Sequence, residues 1–184
     1  ILDLTDIFNA WEEMDQFVPS TVKAVTVDGK IYGFPYNTNA RVLLYRKDLL
    51  EKFGLEVPKT WDEYVKTASI ITEKTSKEVY GAYLCTKVGD PRAYQEFVSW
   101  FFQVSHKEPV FNKAADGTVT VNATPEQFAK VLTVYKDLIF SNPDNPAMDP
   151  NQRGNGWPEE DNGYVAGKWA MVPMGPWIWG HRGD

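Results

Sequence analysis

Residues 42–63 read VLLYRKDLLEKFGLEVPKTWDE, and this stretch decides the fold class. It opens with the apolar run Val42–Leu44, which is typical of a strand covered on both faces. A helix is predicted over Lys47–Phe53, with Gly54 as its stop. Thr60 then caps a second helix, because a glutamate three residues later completes a capping box.

Strand-like and helix-like segments alternate on both sides of this stretch. Upstream, an irregular helical pattern and a short helix lead to an Asp-Gly turn and a strand over 30–36. Downstream, the pattern predicts strands over 79–85 and 169–174, helices over 91–104, 125–140 and 158–166, and one hairpin. The alternation predicts an α/β fold, with a mixed, largely parallel sheet flanked by helices.

The charge pattern argues against nucleic acid as a partner. The chain has 184 residues and a net charge of −6, and its lysines alternate with acids along predicted helix faces. A nucleic-acid binder would carry a basic patch instead. No run approaches the roughly 18 apolar residues of a membrane span, so we expect no span in this chain.

Two further expectations follow from the single cysteine and from the start of the chain. Cys85 has no partner for an internal disulfide, and it lies in a predicted strand, where a core thiol is more usual than a nucleophile. Ile1 is not preceded by an initiator Met, and no basic or apolar segment of a signal peptide follows it. We therefore interpret the sequence as a fragment of a longer protein.

Neither a metal centre nor a catalytic centre is predicted. His106, His181 and Cys85 do not form a cluster with ligand spacing, so we expect no metal and no cofactor. The acidic run at 159–161 lies at a helix start, where negative charge suits the helix dipole. A glycosidase would need two carboxylates on opposite sides of a scissile bond, and no pair is marked for that role. We expect a binding protein rather than an enzyme, with a glycosidase as the alternative.

The aromatic content points to a ligand. Seven Trp, nine Tyr and ten Phe make up 14% of the chain. Trp and Tyr offer a flat apolar face with a polar handle, which suits the C–H face and the hydroxyl groups of a sugar ring. Trp177 and Trp179 directly follow a predicted strand, at the edge where α/β folds bind ligands. We favour Trp177 for the site, and the alternative is that both rings are core.

Five segments, taken in order along the chain, resemble one family. They are Lys30–Tyr36, Leu44–Leu55, Pro58–Tyr64, Tyr164–Met171 and Gly175–Trp177. The ordered set resembles the extracellular solute-binding proteins of carbohydrate ABC importers, the group that includes maltose-binding protein. The resemblance implies a periplasmic-binding-protein-like fold, in which two α/β lobes close on a sugar. It also implies that residues 1–36 are the tail of the first lobe, 37–40 a hinge crossing, and 41–184 an incomplete second lobe.

The resemblance further implies where a sugar binds. Nine residues are predicted to contact it: Trp177, Tyr94, Arg92, Gln95, Tyr36, Asn37, Asn39, Arg41 and Trp157. Trp177 matches the stacking Trp of the second lobe, and the residues of the helix over 91–104 lie where that lobe offers an aromatic and polar contact. The residues around 36–41 lie at the hinge. Trp157 is predicted as an extra platform without a clear counterpart in the family.

The function implied by the resemblance is capture rather than catalysis. Such a protein binds a mono- or oligosaccharide outside the cytoplasm and delivers it to the transmembrane subunits of an ABC permease. It is periplasmic or held at the cell surface, with or without a lipid anchor, and is expected to be a monomer when intact. A receptor for a non-sugar solute, such as a polyamine or a peptide, remains an alternative beside the glycosidase.

Overall fold

The computed structural model describes residues 1–181, so the last three residues of the predicted second lobe lie outside the described part. The chain divides into two compact units, one over Ile1–Ala40 and the other from Arg41 onward. No helix within residues 1–181 is both long and apolar enough to cross a membrane.

The first unit is small and consists of short elements around one buried ring. Its elements are α1 (Thr5–Asn9), a 3-10 turn (Met14–Gln16), α2 (Pro19–Ala24), and the antiparallel strands β1 (Thr26–Val27) and β2 (Lys30–Ile31). The fully buried ring of Phe8 lies 5.4 Å from that of Phe17 and 5.3 Å from that of Phe34, measured between centroids.

The strand predicted over 30–36 is much shorter in the structure. β2 ends at Ile31, and the residues that follow are not in a strand. Pro35 has no N–H to donate to a ladder, and Gly33 has no side chain to pack on a sheet. Around this segment the first unit exposes an apolar patch, lined by Ile7, Trp11, Phe17, Phe34, Pro35 and Tyr36.

The second unit is built on a three-stranded mixed sheet. Its strands are β3 (Val42–Tyr45), β4 (Tyr80–Ala82) and β7 (Trp169–Met174), in the order β3-β7-β4. β7 runs antiparallel to β3 and parallel to β4. The predicted α/β class with a mixed sheet is confirmed, and the sheet has one pairing of each kind.

Helices and one hairpin surround this sheet. The helices are α3 (Lys47–Phe53), α4 (Trp61–Lys74), α5 (Pro91–Val104), α6 (Pro125–Phe140) and α7 (Trp157–Val165), and the hairpin strands are β5 (Phe111–Lys113) and β6 (Val119–Val121). Two 3-10 turns lie at Pro150–Gln152 and Pro176–His181. Most of the helices begin and end within a residue or two of their predicted bounds.

Local signals explain these bounds. The Thr60 side chain accepts a hydrogen bond from the backbone N–H of Glu63, and the Glu63 carboxylate accepts one from the backbone N–H of Thr60, which is the predicted capping box. Gly54 ends α3 in the left-handed conformation, with φ of 66°, where a side chain would be strained.

The core of the second unit lies between the sheet and the helices. Ala68 and Ile71 of α4 are fully buried, and the Tyr64 hydroxyl donates to the carbonyl of Met171 in β7 at 3.3 Å. Cys85 is buried as well, as expected of a core thiol. This packing fixes the carboxyl ends of β4 and β7 and the start of β3 at one edge of the sheet, because Val42 pairs with Met174.

Candidate functional site

The candidate site lies at this edge of the sheet, where four chain segments meet. They are the start of β3, the first turns of α5 and α7, and the 3-10 turn after β7. Parallel strands and the helices that follow them place ligand sites at such carboxyl ends. Five of the nine predicted residues come together here: Arg41, Arg92, Gln95, Trp157 and Trp177.

Trp177 forms the centre of this cluster. Its ring is half-buried, and the guanidinium carbons of Arg92 and Arg41 lie 4.8 Å and 5.5 Å from its centroid. Both distances are within the range of a cation–π contact. The indole N–H is buried and has no hydrogen-bond partner among residues 1–181. Trp177 therefore packs against the core, but is not sealed inside it.

Gly175 allows this ring position. A Cβ atom on Gly175 would lie 1.9 Å from the Cζ3 atom of Trp177, so the ring folds back directly over the glycine. Any side chain at this position would displace the indole. Because Gly175 has no side chain, the Trp177 ring can pack directly against the backbone of the Gly-Pro-Trp segment.

Arg92 is held by two carboxylates of α7. Its Nη1 atom lies 2.6 Å from Glu160 Oε2 and 2.5 Å from Asp161 Oδ1. Its guanidinium carbon also lies 5.7 Å from the Trp157 centroid, so one guanidinium is next to both indoles. Charge-assisted bonds of this kind fix a planar group in one orientation.

Arg41 is fixed in a similar way from the other side of the cluster. Its Nη1 atom donates to Glu96 Oε1 at 3.2 Å and to the Pro173 carbonyl at 2.9 Å, and its Nη2 atom donates to Gln95 Oε1 at 3.2 Å. Gln95 is itself exposed, so its amide nitrogen can still donate to a ligand.

Beneath the arginines lies a pair of buried glutamates that sequence reasoning missed. Glu96 and Glu160 are both fully buried, and their carboxyl groups are close enough to share a hydrogen bond when one of them is protonated. Burial raises the pKa of Glu96 well above its ordinary value, and the neighbouring Glu160 raises it further. Burial also raises the pKa of Glu160, although the bond from Arg92 opposes this shift. The sequence feature that could have revealed this pair is an acidic residue, Glu96, on the buried face of α5.

Asp90 ties the two helix starts together. Its Oδ1 atom accepts from the backbone N–H of Arg92 at 2.9 Å, and its Oδ2 atom accepts from that of Trp157 at 3.1 Å. One carboxylate thereby caps α5 and holds the first residue of α7.

Two of the predicted aromatic side chains present about half of their surface to solvent. Trp157 is 45% exposed and Tyr94 is 55% exposed. The two indoles of the site differ in exposure: Trp177 is half-buried, and Trp157 is exposed enough to serve as a platform for a ligand ring. Trp179 is exposed elsewhere, beside Arg46 and Tyr164.

The three remaining predicted residues belong to the first unit. Tyr36, Asn37 and Asn39 are all exposed, and they follow β2 in a segment without regular secondary structure. Their contact with a ligand stays a prediction.

Exposed rings and fixed polar groups at the carboxyl edge of a mixed sheet are typical of a ligand site in the α/β class. The sequence profile of the bacterial extracellular solute-binding proteins matches residues 1–183, and the chain belongs to that family. The resemblance seen in the sequence is confirmed.

Individual relatives agree with the family. A putative binding protein of Brucella abortus is 29% identical over 164 residues, which cover 89% of this chain and 37% of the relative. The arabinooligosaccharide-binding protein of Halalkalibacterium halodurans is 32% identical over 129 residues, covering 69% of this chain and 26% of the relative. The chain thus spans well under half the length of these relatives.

Solved structures share the fold. A solute-binding protein of Thermotoga lettingae bound with alpha-D-tagatose has a TM-score of 0.78 at 25% identity, covering 97% of this chain and 43% of that one. Maltose-bound MalE3 of T. maritima has a TM-score of 0.76 at 28% identity, with the same two coverages. The periplasmic-binding-protein-like fold class is confirmed.

Proposed function

We propose that this chain is part of the substrate-binding component of an ABC importer, which captures a sugar or oligosaccharide outside the cytoplasm and delivers it to a membrane permease. The observation that carries the proposal is the cluster in which Arg92 lies beside both Trp157 and Trp177. The binding proteins of tagatose, maltose and arabinooligosaccharides among its relatives support a sugar as the ligand.

The chemistry of the cluster suits a sugar. The open face of Trp157 can cover the C–H face of a pyranose or furanose ring. The Gln95 amide and the edges of the two arginines can bond hydroxyl groups in a fixed plane. A micromolar affinity corresponds to about −8 kcal/mol. Partial burial of an indole at about 25 cal/mol per Å², with several net hydrogen bonds of about 1 kcal/mol each, reaches this value.

The division of the chain fits a clamp. We propose that residues 1–36 are the tail of the first lobe, 37–40 a hinge crossing, and 41–184 an incomplete second lobe. The boundary between the compact units at Ala40 and Arg41 supports a crossing at this point. In such a clamp Tyr36, Asn37 and Asn39 reach the ligand when the lobes close.

Glycoside hydrolysis is less well supported. It needs two carboxylates that reach a scissile bond. Glu96 and Glu160 face each other but are fully buried, and each accepts a bond from an arginine. They are thus placed to organise a binding surface rather than to meet a substrate.

Calorimetry on the intact receptor tests the proposal. The panel is maltose, arabinotriose, mannitol, spermidine and a tripeptide, and sugar products are analysed in parallel. We expect micromolar binding of at least one sugar without turnover. Binding of only spermidine or the peptide would assign a different solute class, and release of shortened sugars would assign a hydrolase. Sizing of the same sample should give a monomer.

A further inference from the structure

The buried charges below Trp177 balance only if one proton is present. The cluster contains two guanidinium groups, Arg41 and Arg92, and three carboxyl groups, Glu96, Glu160 and Asp161. The arginine side chains are 13% and 12% exposed, and those of both glutamates are fully buried. With all three acids ionised the cluster carries one net negative charge, and with one proton it is neutral. Burial of an uncompensated charge is strongly unfavourable.

The hydrogen bonds indicate where this proton lies. Glu96 Oε1 accepts from Arg41, and Glu96 Oε2 accepts from the backbone N–H of Cys85 at 2.9 Å. Glu160 Oε2 accepts from Arg92, whereas no donor within residues 1–181 reaches Glu160 Oε1. A proton on Glu96 would donate to Glu160 Oε1 and complete the network, since a protonated carboxyl is the donor that this contact lacks. The contact raises the pKa of Glu96 and lowers that of Glu160, which is the direction expected when Glu96 holds the proton.

Other titratable groups lie around the pair and its immediate neighbours. They are Tyr64 of α4, Tyr83 and Cys85 after β4, Asp90 before α5, Tyr135 of α6 and Glu159 of α7. Burial raises the pKa of each of the three tyrosines, and raises the pKa of Cys85 to about 12. These four groups stay neutral at ordinary pH, and Asp90 stays ionised because its pKa is lowered.

We propose that Glu96 and Glu160 are positioning residues of the ligand site, and that the proton they share holds Arg41 and Arg92 against the Trp177 ring. The inference rests on the proposed function and deepens it, because ligand affinity then depends on a buried proton. When the proton leaves, two facing carboxylates repel each other, and both arginines lose their fixed orientation.

The sign of the effect follows from the direction of the shifts. A carboxyl group whose folded-state pKa is raised favours the native arrangement below its unfolded pKa, and this contribution is lost as the pH rises through the folded-state pKa. Affinity is therefore expected to fall on the alkaline side, by up to about tenfold for each pH unit above that pKa.

Two isosteric substitutions distinguish an effect of the shared proton from an effect of packing alone. Gln at 96 cannot ionise and supplies a permanent N–H donor to Glu160 Oε1, so Glu96→Gln should show an affinity with a flat pH profile. Gln at 160 removes the carboxylate that pairs with Arg92 and accepts from Glu96, so Glu160→Gln should lose about tenfold or more in affinity at every pH. Glu73→Gln, the same change at an exposed position of α4, is the matched control.

The experiment measures the Kd of maltose, arabinotriose and mannitol for the intact receptor, by tryptophan fluorescence, from about pH 5 to about pH 9. Infrared spectra of the wild type and of Glu96→Gln in the same buffers record the protonated-carboxyl band. We expect this band at neutral pH in the wild type, and its loss in the variant.

A wild-type affinity that falls with rising pH, together with a Glu96→Gln profile that falls in the same way, would overturn the inference. Absence of the protonated-carboxyl band from the infrared spectrum of the ligand-free wild type would also overturn the inference. If no sugar binds at any pH, the proposed function fails, and the infrared measurement still decides whether the proton is present.

Discussion

The Oδ2 atom of Asp90 accepts a hydrogen bond of 3.1 Å from the backbone N–H of Trp157, 67 residues further along the chain. The same carboxylate caps α5 through its other oxygen. The most exposed indole of the site is therefore anchored through its backbone to the helix that carries Arg92. The position of the Trp157 ring therefore depends on a hydrogen bond of the Trp157 backbone, in which the ring takes no part.

Removal of this anchor should cost stability and affinity together. In Asp90→Ala, two N–H groups lose their acceptor, and we expect a loss of about 1–2 kcal/mol in the free energy of unfolding. Urea unfolding of the intact receptor measures the change. Asp90→Asn keeps one acceptor oxygen and should lose less. Equal stability of Asp90→Ala and the wild type would contradict the anchoring role.

Trp157→Ala tests the open platform. Loss of this ring should raise the Kd for the bound sugar about tenfold, or ~1.4 kcal/mol, with a smaller change in stability than a core ring would give because about half of the side chain is exposed. Calorimetry and urea unfolding are the two measurements. Trp179→Ala removes an equally exposed indole from another surface and should bind as the wild type does. Identical affinities for the two variants would remove Trp157 from the site.

Gly175→Ala tests the close approach to Trp177. The added methyl group overlaps the ring, so the indole must move, at a cost of about 1–3 kcal/mol in stability. The change in tryptophan fluorescence on sugar binding should shrink, and the Kd should rise. Gly180→Ala is the control from the same 3-10 turn, because nothing lies within 4 Å of a Cβ atom there. A Gly175→Ala receptor with wild-type unfolding and binding would show that the ring has room to relax.

The Cys85 thiol should be unreactive in the native receptor. Burial raises its pKa to about 12, so the thiolate that reacts with disulfide reagents is scarce near neutral pH. We expect slow reaction in buffer, and full reaction after unfolding in urea. Cys85→Ser gives the background from any other thiol. Fast reaction of native Cys85 would mean that this part of the core opens readily.

Sequence reasoning succeeded where the signal is local. The capping box at Thr60, the left-handed Gly54 and the Asp-Gly hairpin turn depend on residues a few positions apart. It overextended the strand after Lys30, because apolar alternation continues past β2 although Pro35 cannot join a ladder.

The candidate site was predictable in its residue types but not in its contacts. Trp177 was predicted from its place after a strand and Arg92 and Trp157 from the family resemblance, and the three residues are neighbours. The bond between Arg92 and Glu160 joins residues 68 positions apart, and the acidic run of α7 was explained by the helix dipole alone. Only the contacts between α5 and α7 show that two of these acids, Glu160 and Asp161, are buried.

The pairing of β3 with β7 has a consequence for how the second unit folds. The Arg41 side chain bonds the Pro173 carbonyl across 132 residues, at the point where the first strand of the unit meets the last. Such a high contact order slows folding, because the entropy of closing a long loop is lost before the strand pairing contributes favourable free energy. A chain growing from its amino end therefore cannot complete this sheet until residue 174 is available, and the central strand is the last one to be made.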